Sequence, residues 1–208
     1  MGAATSTVLG FDAEGVLLDI LEGVNGGDVG DPAAAQLVAC AERGDWASVR
    51  ALLSSGAAPF ARLGGEQRTA LHYAAAAGQP EVVMALLGAG ADAGARCVGA
   101  AALTPLHAAA DAQPTGCGGA ACAQQRAALA AVVALLCAAG APCNAADGEF
   151  LQVPLHLAAR RGHAGAAAEL LRAGALARVE DRFGDTPADL AEDAGWADLA
   201  ATLRANET

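Results

Sequence analysis

The chain has 208 residues and a net charge of −11, and although 54% of its residues are hydrophobic, only 3% are aromatic. Alanine supplies much of the apolar content, which is typical of closely packed helices. All 12 basic residues are arginine, and six acidic residues but no basic ones lie before residue 35. Nucleic-acid binding needs clustered basic residues, so the composition argues against it. The charge favours a partner with a basic surface, or serves only to keep the protein soluble.

The acidic N-terminal segment, residues 1–31, is open to several interpretations. Gly2 with Ser6 matches the N-myristoylation pattern, which would recruit the protein to membranes. A single acyl chain binds membranes only marginally, and the neighbouring residues are acidic. Residues 12–23 have the apolar spacing of a short amphipathic helix. This helix either caps the units that follow or docks as a peptide in a partner's groove.

A four-residue signature then recurs along the chain. Its threonine can cap a helix, and a proline at the first helical position loses no needed donor. Downstream glycines, often preceded by Leu-Leu, are typical of helix ends. The pattern therefore predicts two closely packed helices in each unit. The copies are TALH at 69–72, TPLH at 104–107, VPLH at 153–156 and TPAD at 186–189.

These motifs resemble the ankyrin repeat, and the resemblance covers about residues 32–205. It implies an all-α solenoid in which helix-turn-helix units are joined by β-hairpin-like loops, forming a domain over 32–208. The first and last repeats are degenerate and act as caps. No run of 18 residues lacks charge and glycine, so no membrane span is expected. The predicted repeats are 32–64, 65–99, 100–148, 149–181 and 182–205.

One repeat is longer than the others. The signature copies, with the degenerate first copy at residue 35, are 34, 35, 49 and 33 residues apart, against a family period of about 33. The glycine that ends the unit places the extra residues within the third repeat, at 112–127. We expect a Pro/Gly loop over 112–119, followed by a helical extension over 120–128.

The sequence does not predict an enzyme. The repeat pattern accounts for all four histidines (His72, His107, His156 and His163), so none is left for general-base catalysis. No phosphate-binding loop or nucleophile-elbow motif is present. We therefore expect no catalytic residues and no cofactor.

Cys117 and Cys122 have a spacing found in metal and redox sites. Further ligands are not evident, so we expect no metal and free thiols in a reducing cytoplasm. A protein that responds to metals or to redox state through these two cysteines is the alternative.

The resemblance implies that a protein partner binds at the hairpin tips and on the concave face of the first helices. Aromatic and arginine side chains at such positions are typical binding hot spots; alternatively, each phenylalanine packs on the next hairpin and each arginine is merely solvated. We thus predict a cytoplasmic adaptor, scaffold or inhibitor subunit, monomeric by default. The predicted contact residues are Phe60, Arg62, Tyr73, Arg96, Phe150, Leu157, Arg160, Arg161, Arg182 and Phe183.

Overall fold

The computed structural model describes residues 32–62, 65–99, 101–113 and 120–207. Gly2, the predicted helix at 12–23 and Cys117 lie outside these ranges. The described residues contain ten helices, which we number in chain order. They are α1 (Pro32–Glu42), α2 (Trp46–Ser54), α3 (Ala70–Ala76), α4 (Pro80–Gly88), α5 (Pro105–Ala110), α6 (Ala120–Ala138), α7 (Pro154–Arg161), α8 (Ala164–Arg172), α9 (Pro187–Asp193) and α10 (Ala197–Ala205).

The helices form five consecutive pairs, from α1–α2 to α9–α10. The first helix of each pair packs on the first helix of the next, and α2, α4, α6 and α8 pack on one another in the same way. This stacking confirms the predicted all-α solenoid. Because each pair is only two helices thick, it buries its apolar face chiefly against its neighbours.

The core consists mainly of leucine and alanine. The signature leucines Leu71, Leu106 and Leu155 are fully buried, as are the alanine pairs that follow them in the first helices. Burial of each leucine contributes about 1.5–3 kcal/mol. The small alanines allow neighbouring helices to approach closely, which explains why so few aromatic residues suffice.

Each signature histidine joins its own helix to the next repeat. His72 Nδ1 accepts from the backbone N–H of Thr69 at 3.2 Å, so Nε2 carries the proton and donates to the Leu103 carbonyl at 3.1 Å. His107 repeats the pattern with the Gln152 carbonyl at 3.1 Å. His156 does so with the Asp185 carbonyl at 3.2 Å. Each accepting residue directly precedes the next signature.

The last repeat replaces this histidine with Asp189. Its carboxylate accepts from the Thr186 backbone N–H at 3.0 Å and from the Thr186 hydroxyl at 2.6 Å. These contacts complete the helix cap. Among the described residues no repeat follows, so there is no carbonyl for a second ring nitrogen to bind. A group that only accepts is therefore sufficient at this position.

Successive hairpins are joined through their backbones. The N–H groups of Val98, Gly148 and Arg182 donate to carbonyls of the preceding hairpin at 2.7–2.9 Å. Two residues before the signature, Ala102 and Leu151 adopt left-handed φ values of 43° and 58°. Such values are uncommon for residues other than glycine, so the hairpin closure and stacking hold these residues in place.

Helix α6 is much longer than the other second helices. It has 19 residues, whereas α4 and α8 have 9 each. By length and composition alone, its residues 121–138 could cross a membrane. However, Leu129, Val132, Val133 and Leu136 are fully buried in the stack. These four large apolar side chains of the segment therefore serve core packing.

We expect the protein to lose stability as the solution becomes acidic. Burial lowers the pKa of His72 to about 4, and it also lowers the pKa of His107, His156 and His163. In the unfolded chain a histidine has a pKa of about 6.5. The unfolded state thus binds more protons below about pH 6.5, and stability is lost as the pH falls from there toward the folded pKa.

His72 alone should account for about 2 kcal/mol between pH 7 and pH 5. Urea unfolding at successive pH values measures this change. A His72→Gln variant, whose amide does not titrate, should show a shallower dependence by about one proton. Equal stability of the parent protein at pH 7 and pH 5 would contradict the prediction.

The glycine that ends α7 should tolerate a side chain less well than the glycine that follows α8. Gly162 has φ 69°, and a Cβ there would lie 2.3 Å from the Trp196 ring. Gly174, at φ 91°, has no atom within 4 Å of such a Cβ. Gly174→Ala should cost about 1–2 kcal/mol from backbone strain alone. Gly162→Ala should cost about 1–3 kcal/mol more because of the clash. Equal losses in chemical denaturation would rule out a close Trp196 contact.

Candidate protein-binding surface

The first helices and hairpins of repeats two to four line a groove of about 340 Å³. Apolar residues such as Ala76, Ala108 and Leu103 form part of its lining. Charged residues from three different repeats lie along it. A groove with an apolar lining and a few convergent polar groups is suited to holding side chains of a partner. The charged lining residues are Arg68, Asp111, Asp147, Glu149 and Arg160.

Arg160 and Arg161 share one acidic partner. Arg160 Nη2 and Arg161 Nε lie 3.0 and 2.9 Å from the same Asp111 Oδ1. Two guanidinium groups thus face a single carboxylate, leaving one positive charge uncompensated in this cluster. All three side chains remain 31–42% exposed, so these pairs contribute little to stability. Their exposure leaves them accessible to a partner's acidic or carbonyl oxygen.

The ion pair between these residues was not predicted from the sequence, although a signal was present. Asp111 follows the signature histidine of repeat three by four residues, and Arg160 follows that of repeat four by four. Equivalent positions in stacked repeats are neighbours in space. Opposite charges at such positions therefore predict an ion pair between repeats.

Two further predicted residues lie on the first helices. The Tyr73 hydroxyl donates to Glu42 Oε1 at 3.3 Å, between repeats one and two. Burial, followed by the Glu42 carboxylate, raises the pKa of Tyr73. Leu157 lines the groove but is only 5% exposed. It thus presents little surface to a partner, whereas Tyr73 remains partly exposed.

The hairpin tips carry exposed aromatic residues. The rings of Phe150 and Phe183 stack, with centroids 6.1 Å apart and planes 29° apart. They nevertheless remain 38% and 69% exposed, and Phe60 is 61% exposed. Packing between hairpins therefore covers these rings only in part. Leu151, at 52% exposure, extends the apolar patch, and exposed patches of this kind mark interaction sites.

The hairpin arginines support the backbone. Arg62 donates to the Arg96 carbonyl at 2.5 Å, and Arg96 donates in turn to the Ala146 carbonyl at 2.7 Å. Arg182 donates to the Glu149 carbonyl at 3.1 Å. These three arginines thus join neighbouring hairpins, and they are not merely solvated. Their contribution to partner binding stays a prediction.

The described residues include no group of three or more His, Cys, Asp or Glu that could hold a metal ion. Cys122 is a partly buried free thiol on α6, and Cys40, Cys97, Cys137 and Cys143 are also free. Burial raises the pKa of Cys40 and raises that of Cys137 to about 11. These two thiols are therefore poor nucleophiles at neutral pH.

Family comparison gives matches along both halves of the stack. Residues 37–117 match the model described as ankyrin repeats (three copies), and residues 151–182 match the model for an ankyrin repeat. Mouse cyclin-dependent kinase 4 inhibitor B is 37% identical over 143 residues, covering 69% of this chain and 96% of that protein.

Two human proteins match over a shorter region. Human cyclin-dependent kinase inhibitor 2A is 46% identical over 76 residues, covering 36% of this chain and 49% of that protein. Human cyclin-dependent kinase 4 inhibitor B is 45% identical over 75 residues, covering 36% and 54%. The chain thus spans about half the length of these human relatives and nearly all of the mouse one.

These comparisons give no support to the acylated or redox-responsive alternatives. They agree with the stacked helix pairs. The chain belongs to the ankyrin-repeat family of protein-binding proteins.

Proposed function

We propose that this chain binds a cyclin-dependent protein kinase and inhibits it by occupying its surface. The observation that carries the proposal is the similarity to mouse cyclin-dependent kinase 4 inhibitor B, which extends over 96% of that protein. Matches to two human inhibitors point to the same class of partner. The five free cysteines in the described residues fit a reducing compartment such as the cytoplasm.

The proposed contact surface is the concave groove together with the adjoining hairpin tips. Arg160 is the strongest polar anchor, because its guanidinium is exposed beside a carboxylate that it shares with Arg161. Phe150 is the strongest apolar anchor, since it lines the groove and belongs to the exposed aromatic pair. Binding energy is usually concentrated in a few such residues. Inhibition then needs no catalytic group in this chain.

Charge reversal within repeat four tests both the partner and the surface. Arg160→Glu alters the concave helix α7, whereas Arg172→Glu alters an arginine that is 73% exposed on the second helix α8. We expect the parent protein and Arg172→Glu to bind purified cyclin-dependent kinase 4 and inhibit it equally. Arg160→Glu should weaken binding by about tenfold or more. Calorimetry and a kinase assay measure the two effects.

The outcomes distinguish failure of the proposed function from failure of the surface assignment. If the parent protein neither binds nor inhibits the kinase, the proposed function fails. If it binds but Arg160→Glu matches Arg172→Glu, the surface assignment is in error. Tyr73→Ala and Phe150→Ala extend this second comparison. Unchanged affinity in both of these variants as well as in Arg160→Ala would move the binding surface elsewhere.

A further inference from the structure

The lengthened helix of repeat three makes a contact beyond its neighbouring repeat. The N-terminal part of α6 carries Arg126, whose Cζ atom lies 5.7 Å from the centroid of the Trp196 ring. Trp196 belongs to repeat five and directly precedes α10. In a regular solenoid each repeat contacts only its neighbours. The contact between Arg126 and Trp196 therefore passes over repeat four.

Trp196 is in turn fixed against the end of α7. Its Nε1 donates to the Arg160 carbonyl at 3.3 Å. Its ring lies so close to Gly162 that a Cβ there would come within 2.3 Å. Gly162 ends α7 in a left-handed conformation. Trp196 is thus packed on repeat four, with Arg126 over its ring.

The other end of the insertion binds the same part of repeat four. The Ala112 carbonyl accepts from His163 Nε2 at 2.7 Å, and both residues are buried. With its amide oxygen turned toward Arg161, Gln113 accepts from Nη1 and Nη2 at 2.8 and 3.1 Å. The described residues near both ends of the insertion therefore contact the end of α7. Ala112 and Gln113 contact it directly, and Arg126 does so through Trp196.

We propose that the described parts of the insertion, residues 112–113 and 120–127, form a clasp that couples repeats three, four and five and positions Arg160 and Arg161 on the concave surface. The clasp consists of Ala112, Gln113 and Arg126 in repeat three, with Trp196 as its contact in repeat five. Without it, repeat five would be held only by its contacts with repeat four and would open more readily. Local opening at chain ends is otherwise the rule. The coupling of the repeats does not depend on the proposed function. The positioning of Arg160 and Arg161 for kinase binding rests on that proposed function.

Native-state hydrogen exchange tests the clasp. Arg126 is exposed, so Arg126→Gln removes the cation without disturbing the core. We expect this change to speed exchange in α9 and α10 by roughly two- to fivefold, the range for an exposed cation–π contact. Exchange in α3 and α4 should not change. Arg126→Lys keeps the cation and should restore part of the protection. Arg50→Gln, on α2, controls for the loss of one positive charge.

A double-mutant comparison shows whether the effect passes through the Trp196 ring. Trp196→Leu should also speed exchange in α9 and α10, and adding Arg126→Gln to it should have no further effect. An Arg126→Gln variant with the parent's exchange rates would overturn the clasp, as would an equal added effect in the Trp196→Leu background. If Trp196→Leu does not fold, the comparison of Arg126→Gln with Arg126→Lys decides the question alone.

Kinase affinity measured on the same variants addresses the positioning part. Arg126→Gln should weaken binding, and Arg126→Lys should restore part of it. Unchanged affinity alongside faster exchange would overturn the positioning part alone. If the parent protein does not bind the kinase, the proposed function fails, while the exchange result still decides the coupling.

Discussion

One neutral imidazole at the start of each middle repeat joins that repeat to the next. Its Nδ1 accepts from the N–H at the start of its own helix, and its Nε2 donates to a carbonyl of the following hairpin. Both bonds need the same tautomer, and both are formed in a buried environment, where a polar group without a partner is costly. The two bonds thereby fix the position of each first helix relative to the following hairpin. Asp189 takes the place of this imidazole in repeat five, where its carboxylate keeps the bond to the N–H at the start of its own helix.

Because this bond recurs in each middle repeat, residues at a few equivalent positions of the repeats form the surface of the stack. Residues that follow the signature at the same distance lie side by side, as Asp111 and Arg160 do. The hairpins are held by backbone bonds and by arginine side chains such as Arg62 and Arg96. A partner therefore meets an ordered surface, and little conformational entropy is lost on binding. Such a surface suits inhibition by occupation, which requires shape and charge but no chemistry.

Much of the fold could be predicted because its determinants are local and periodic. The signature specifies a cap and a helix start, and the spacing places the extra residues in repeat three. The accessible surface was harder to predict, since exposure depends on neighbours. Leu157 occupies a position that varies between repeats, yet it is almost fully buried. Arg182 would be solvated in isolation, but a carbonyl of the preceding hairpin lies within its reach.

The sequence by itself determined the number of repeats and the place of the histidines within them. These properties follow from short-range patterns, in which each residue acts within its own unit. Only the tertiary structure decided which arginines share Asp111, which rings stay exposed, and which residue the extended part of α6 contacts. Arg126 and Trp196 are 70 positions apart in the chain, and no periodic signal links them. They meet because, in the assembled solenoid, the lengthened helix of repeat three reaches past repeat four to repeat five.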